Sequence, residues 1–338
     1  MKTSKTKYRF LVWLLILAAA ATRTAGAQGQ SKPPRAATGQ PDLQGVWNFS
    51  SDVPLERPTA FADRETFTRE ELRQHAATTK MALGTVAKFA PVEAVSLTWL
   101  DYEAQIENLR TSLITYPDNG RVPKLVEGVR RAPGIADFIA VLSDPKATLP
   151  PTLLAALGGG KKDGFEDLGP SERCLGGAGP PFTSGFDNNY VQIVQGTDHI
   201  ALVTEPFHHA RIVPLDGRPQ LGEKLRFWSG DSRGHWEGET LVIETRNFNS
   251  RTRSFAGAGT SQDKTVTERF TRRSADALDY EATIVDPKTF EEKIVVSFPM
   301  ARSRSRIFEV ACHEGNYSMF NTLSGARKEE QDATKAKP

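Results

Sequence analysis

Between Asn188 and His313 the chain alternates apolar and polar residues with a period of two, in short runs separated by turn residues. Successive side chains of a strand point to opposite faces, so these runs describe strands with one buried face. They fall at 190–195, 199–205, 210–214, 224–228, 240–247, 266–271, 278–285, 293–298 and 306–312. The connections, among them Asp216-Gly217-Arg218-Pro219, Glu237-Gly238, Ser274-Ala275-Asp276 and Asp286-Pro287, are too short for crossover helices. Strands joined in this way run antiparallel, and a meander this long closes into a barrel or folds into a sandwich. Leu278, Tyr280, Ala282 and Ile284 share one face and mark the core side of their strand.

Ahead of the meander the pattern changes. Residues 43–49 read as a first strand with Leu43, Gly45, Trp47 and Phe49 on one face. Thr68-Arg69-Glu70-Glu71 fits a capping box, which predicts a helix through Ala82. Leucine spacing predicts a second helix over 99–114, and shorter ones are expected at 135–142 and 152–157. Gly158-Gly159-Gly160 is followed by no Gly-Lys-Ser/Thr in register and reads as a linker. The organisation is therefore one mainly β domain over 42–326 with an α-helical insertion at 64–157. A flexible leader is expected at 28–41 and a disordered tail at 327–338.

The N-terminus constrains the compartment. Lys2, Lys5, Lys7 and Arg9 precede a short apolar run from Phe10 to Ala21, and Ala25-Gly26-Ala27 offers a small-x-small cleavage site. This predicts a cleavable signal peptide over 1–27 and a periplasmic or secreted protein, since the run is shorter than the ~20 residues that span a bilayer. Five of the 43 basic residues and none of the 41 acidic ones lie in that segment, so the mature chain has a net charge of −3. That balance lacks the basic footprint of a nucleic-acid binder. Cys174 and Cys312 are the two cysteines, and an oxidising compartment favours a disulfide between them.

Candidate chemistry concentrates between Glu205 and Thr245. If strand alternation continues through the first part, Glu205, Phe207, His209 and Arg211 share a face. Glu205 or Asp231 could then orient His209 as a general base, with Arg211 or Arg233 stabilising negative charge. Cross-strand ion pairs on an outer face would explain the same residues. Gly230-Asp231-Ser232-Arg233-Gly234 matches the nucleophile-elbow pattern, but a strand follows it where a helix should. That stretch is read as a loop with Trp236 closing a barrel end. His199, His209, His235 and His313 show no metal-ligand spacing, and no cofactor or metal is expected. His209 and Arg211 are expected to share a cleft with at least one of Asp231, Arg233 and His235.

Gly45-Val46-Trp47 ahead of an antiparallel meander resembles the Gly-x-Trp start of lipocalin-like, or calycin, barrels. That resemblance implies a tryptophan at the barrel floor against a late basic side chain, Arg304 or Arg306. The segments 41–47, 209–219, 230–240 and 312–317 are also similar to those of a group of exported bacterial proteins, which implies export and a shared fold but no activity. The expected function is binding of a small, partly apolar ligand by Phe207, Arg211, Trp228, Arg233, His235, Trp236 and Tyr280. The alternative is a cofactor-free lyase, isomerase or hydrolase using His209 with Glu205 or Asp231.

Overall fold

The computed structural model describes residues 33–89, 104–131, 162–167, 173–175, 179–185, 188–205, 209–251, 254–314 and 316–335. Ten strands form one antiparallel sheet that curls into a nearly closed barrel. In chain order they are β1 (Gly45–Asn48), β2 (Ile114–Tyr116), β3 (Tyr190–Gln195), β4 (His199–Thr204), β5 (Ala210–Pro214), β6 (Asp231–Glu237), β7 (Thr240–Arg246), β8 (Thr265–Arg272), β9 (Ala277–Val285) and β10 (Ile294–Ser303). Around the barrel the order is β5-β4-β3-β1-β10-β9-β8-β7-β6. The early strand β1 thus joins the two halves of the meander. The long β10 pairs with β2 at Val295 and Val296 and with β1 from Ala301 to Ser303.

No ladder joins the two ends of this order, β5 and β6. Side chains fill the seam instead. A Cβ added to Gly234 would lie 2.7 Å from Leu215 Cδ2 and 3.0 Å from Val213 Cγ1, so a glycine is what lets β6 lie against β5.

Inside, the barrel is packed. Leu278, Tyr280, Ala282 and Ile284 of β9 are fully buried, as their alternation requires. Phe182, from the segment ahead of β3, enters the interior and stacks on Phe49 at 5.4 Å, with Tyr280 at 5.4 Å and Phe270 at 6.3 Å. Its backbone N–H donates to the Tyr280 hydroxyl, which donates to Glu268 Oε1 at 2.9 Å. Glu268 also receives both terminal nitrogens of Arg211. Arg211 and Glu268 are 6% and 0% exposed, so this pair is desolvated and each charge depends on the other. Ser232 and Thr245 extend the network at 2.9 Å.

Trp47 marks the opposite end. Its indole N–H donates to the Leu43 carbonyl at 2.9 Å, and the Arg272 guanidinium lies 4.8 Å from its ring centre. Arg272 comes from the inner face of β8. Arg304 and Arg306, the partners implied by resemblance, follow β10 and are exposed, so they do not fill this role.

Among the described residues, two α-helices lie outside the barrel, α1 (Arg69–Phe89) and α2 (Tyr317–Lys335). The capping box forms: Thr68 N donates to Glu71 Oε2 at 2.8 Å and Glu71 N to Thr68 Oγ1 at 3.2 Å. Cys174 and Cys312 are bonded, closing a separation of 138 residues. Among the described residues no helix is long and apolar enough to cross a membrane.

Several expectations are corrected. Residues 104–113 of the expected second helix are irregular, because Thr66 bridges Arg110 and Leu113 N bonds Pro54 O in extended pairings. Residues 224–228 and 306–312 do not form strands, although Phe227 bridges Phe248. The expected loop after Gly230 is the strand β6, paired from Asp231 with Arg246 to Glu237 with Thr240. The expected disordered tail is helical to Lys335, with Arg327–Glu330 and Lys328–Asp332 ion pairs at helical spacing. Within the expected flexible leader, Arg35 bridges Pro41 and pairs with Glu239 at 2.8 Å. The signal peptide, the two short helices and the glycine triplet lie outside the described residues.

Candidate functional site

At the end of the barrel away from Trp47, a cavity of about 590 Å³ opens between the strand ends and three covering segments. Val53 to Leu55 follow β1, Gly179 to Gly185 precede β3, and Ser254 to Gly257 precede β8. The walls are largely apolar, with Pro180, Pro181, Trp228, Phe248 and Phe255 contributing most of the bulk. Phe182, between the cavity-lining Pro181 and Thr183, turns its ring into the packed interior among Phe49, Phe270 and Tyr280.

Three polar features converge on these walls. Lys264, one residue before β8, is 7% exposed, and its ammonium donates to the carbonyls of Ser254 at 3.1 Å and Pro180 at 3.4 Å. It also sits 4.3 Å from the Phe248 ring centre. Burial lowers its pKa to about 8, and the carboxylates of Asp286 and Glu268 offset only part of that. Ser254 Oγ is buried and has no hydrogen-bond partner among the described residues. The third feature is His209, whose Nε2 lies 2.8 Å from Ser229 Oγ. Burial first, and then the Arg211 guanidinium, hold this imidazole below its ordinary 6.5, so it is neutral at pH 7.

A shallower groove of about 410 Å³ adjoins the cavity through His209, Trp228 and Ser229. His209, Arg211 and Asp231 all line it, which places those three residues in one cleft. Their chemistry differs from the expected arrangement. Strand β4 ends at Thr204 and β5 begins at Ala210, so Glu205 and His209 both lie outside the strands. Thr204 N donates to the His209 carbonyl at 3.0 Å. Glu205 accepts from Phe308 N at 2.7 Å, and Asp231 accepts from Leu221 N at 2.7 Å and Arg233 at 2.6 Å. The hydrogen-bond partner of His209 is thus the Ser229 hydroxyl and neither carboxylate.

The remaining candidates separate. Tyr280 is fully buried in the interior network, and Arg211 is held by Glu268. Arg233 is engaged by Asp231 and the Pro219 carbonyl. His235 points outward beside Glu237 at 3.2 Å. Trp236 is half-buried on β6, and Trp228 lines both the cavity and the groove. Phe207 lies outside the described residues. Among the described residues, no three histidine, cysteine or acidic side chains gather as a metal site would require.

Lys264, Ser229 and Ser254 were not found by sequence reasoning. Lys264 stands just ahead of a strand in Asp263-Lys264-Thr265, where a lysine ordinarily faces solvent. Ser229 precedes Gly230 and shows no elbow pattern of its own. Glu268 was missed as well, although its position between Val266 and Phe270 on the inward face of β8 is a signal that could have found it. Compared with protein-family models, curated proteins and solved structures, the chain matches none.

Proposed function

We propose that this chain is an exported, lipocalin-like barrel protein that binds a small, partly apolar molecule in the end cavity, with an anionic or strongly accepting group directed at Lys264. The carrying observation is the buried ammonium in a mainly apolar chamber of about 590 Å³, within the volume range of small-molecule sites. Apolar walls supply contact area, and a buried cation favours a ligand that brings the opposite charge or a lone pair. Ser254 Oγ supplies a further hydrogen-bonding group to a ligand at those walls.

Export is supported by the charged and apolar N-terminal pattern and by the Cys174–Cys312 disulfide, a bond that persists in oxidising compartments. The lipocalin-like reading is supported by the meander and by Trp47 under Arg272 at the barrel floor.

Matched pairs of ligands test the reading by calorimetry, each pair comprising an aromatic or medium-chain carboxylate and its neutral amide. The expected result is saturable 1:1 binding that favours the carboxylate, with Lys264→Met weakening it about tenfold, the scale of one charge-assisted hydrogen bond. Equal binding of both members, or no binding by any pair, contradicts the proposal.

A further inference from the structure

We infer that Ser229 and His209 form a nucleophile–base pair that cleaves small esters of apolar carboxylic acids. The inference rests on the cavity being the binding site, and it adds a reaction to it. The geometry carries it: Ser229 Oγ and His209 Nε2 are 2.8 Å apart, at hydrogen-bond reach for proton transfer, and both line the cavity. Most of the surrounding wall is apolar, which suits an acyl group.

Gly179 borders Ser229 in the cavity wall. A Cβ there would lie 3.4 Å from Ser229 Oγ and 3.6 Å from Ser229 Cα, in ordinary contact. A β-branched side chain at 179 would reach further and crowd the serine.

The chemistry balances without a further reagent. Ser229 Oγ attacks the ester carbonyl carbon while its proton passes to His209 Nε2. The carbon–oxygen bond to the alcohol breaks, and the departing alkoxide takes that proton from His209. Water then attacks the acyl-serine, gives a proton to His209, and releases the carboxylic acid as Ser229 recovers its hydrogen. Negative charge on the carbonyl oxygen develops in a chamber that holds the Lys264 ammonium, which lowers its energy. The acid released is the class of ligand that Lys264 favours.

The test treats the mature, disulfide-bonded protein with an alkyl fluorophosphonate and locates the adduct by peptide mass spectrometry. Hydrolysis of 4-nitrophenyl butyrate is followed in parallel. The expected result is a single phosphonyl adduct on Ser229, absent in Ser229→Ala and formed about 100-fold more slowly in His209→Gln, in line with loss of a general base. Gly179→Val slows labelling while leaving the fold intact by circular dichroism. No adduct on the wild-type protein, or an adduct confined to another residue, overturns the inference. Calorimetric carboxylate binding by a wild-type protein that resists labelling overturns the inference and leaves the binding proposal standing. Labelling at Ser229 without binding of any carboxylate supports the inference and contradicts the Lys264 preference.

Discussion

At the scale of single residues, two buried cations, Arg211 and Lys264, meet different fates. Arg211 and Glu268 satisfy each other inside the barrel, with Tyr280 and Thr245 completing the set. Among the described residues, Lys264 has only carbonyls and an aromatic face within bonding range, and burial lowers its pKa from 10.5 to about 8. The unfolded chain therefore binds more protons than the folded one between those two values. This group makes the protein more stable as pH rises from about 8 to 10.5 and less stable as pH falls back through that window. Below about 8 the penalty is constant. A shift of this size corresponds to about 3 kcal/mol. Urea denaturation of wild type and Lys264→Met at pH 7.5 and pH 10 isolates it, because other titrating groups cancel in the difference. The wild type should gain on the variant by about 2 kcal/mol at the higher pH, since pH 10 stops short of the unfolded-state value. A difference that stays flat between the two pH values would mean that Lys264 is not desolvated.

At the scale of elements, period-two alternation was readable wherever one strand face meets the apolar core. Val266, Phe270, Leu278 and Tyr280 announced β8 and β9 for that reason. Strand β6 was hidden because its inward positions face the polar network and the seam, and so carry Ser232 and Gly234 in place of aliphatics. Conversely, Leu225 and Phe227 alternate well yet are exposed beside a chain that offers one bridge and no ladder. The expected shared face of Glu205 and His209 fails because β4 ends at Thr204 and β5 begins only at Ala210, leaving both residues outside the strands. The Ser229–His209 contact joins a residue two before β6 to the residue just before β5, a pairing that no local spacing encodes. The seam itself gives a sharp test. Valine is favoured in strands, so Gly234→Val would stabilise an open β6. Against Leu215 and Val213 it must overpack, and a loss of about 1–3 kcal/mol is expected in denaturant melts. Unchanged or raised stability would show that β5 and β6 do not pack across the gap.

For the whole molecule, the barrel is a packed scaffold with distinct ends. Eight residues of chain separate Lys264 at the cavity from Arg272 at the Trp47 floor, roughly 26 Å of extended strand. Between them Phe182, Phe270, Tyr280 and the Arg211–Glu268 pair fill the interior. The proposed ligand site is therefore the cavity end and not the packed centre. The most direct measurement is tryptophan quenching by a brominated aromatic carboxylate, since a bromine atom quenches only rings it nearly touches. Trp228 lines the cavity, whereas Trp47 lies at the floor and is fully buried. Saturable quenching of the wild type that disappears in Trp228→Phe, with calorimetric binding retained, is the predicted result. Saturable quenching that persists undiminished in Trp228→Phe would contradict the account, because the ligand would then lie elsewhere than the end cavity.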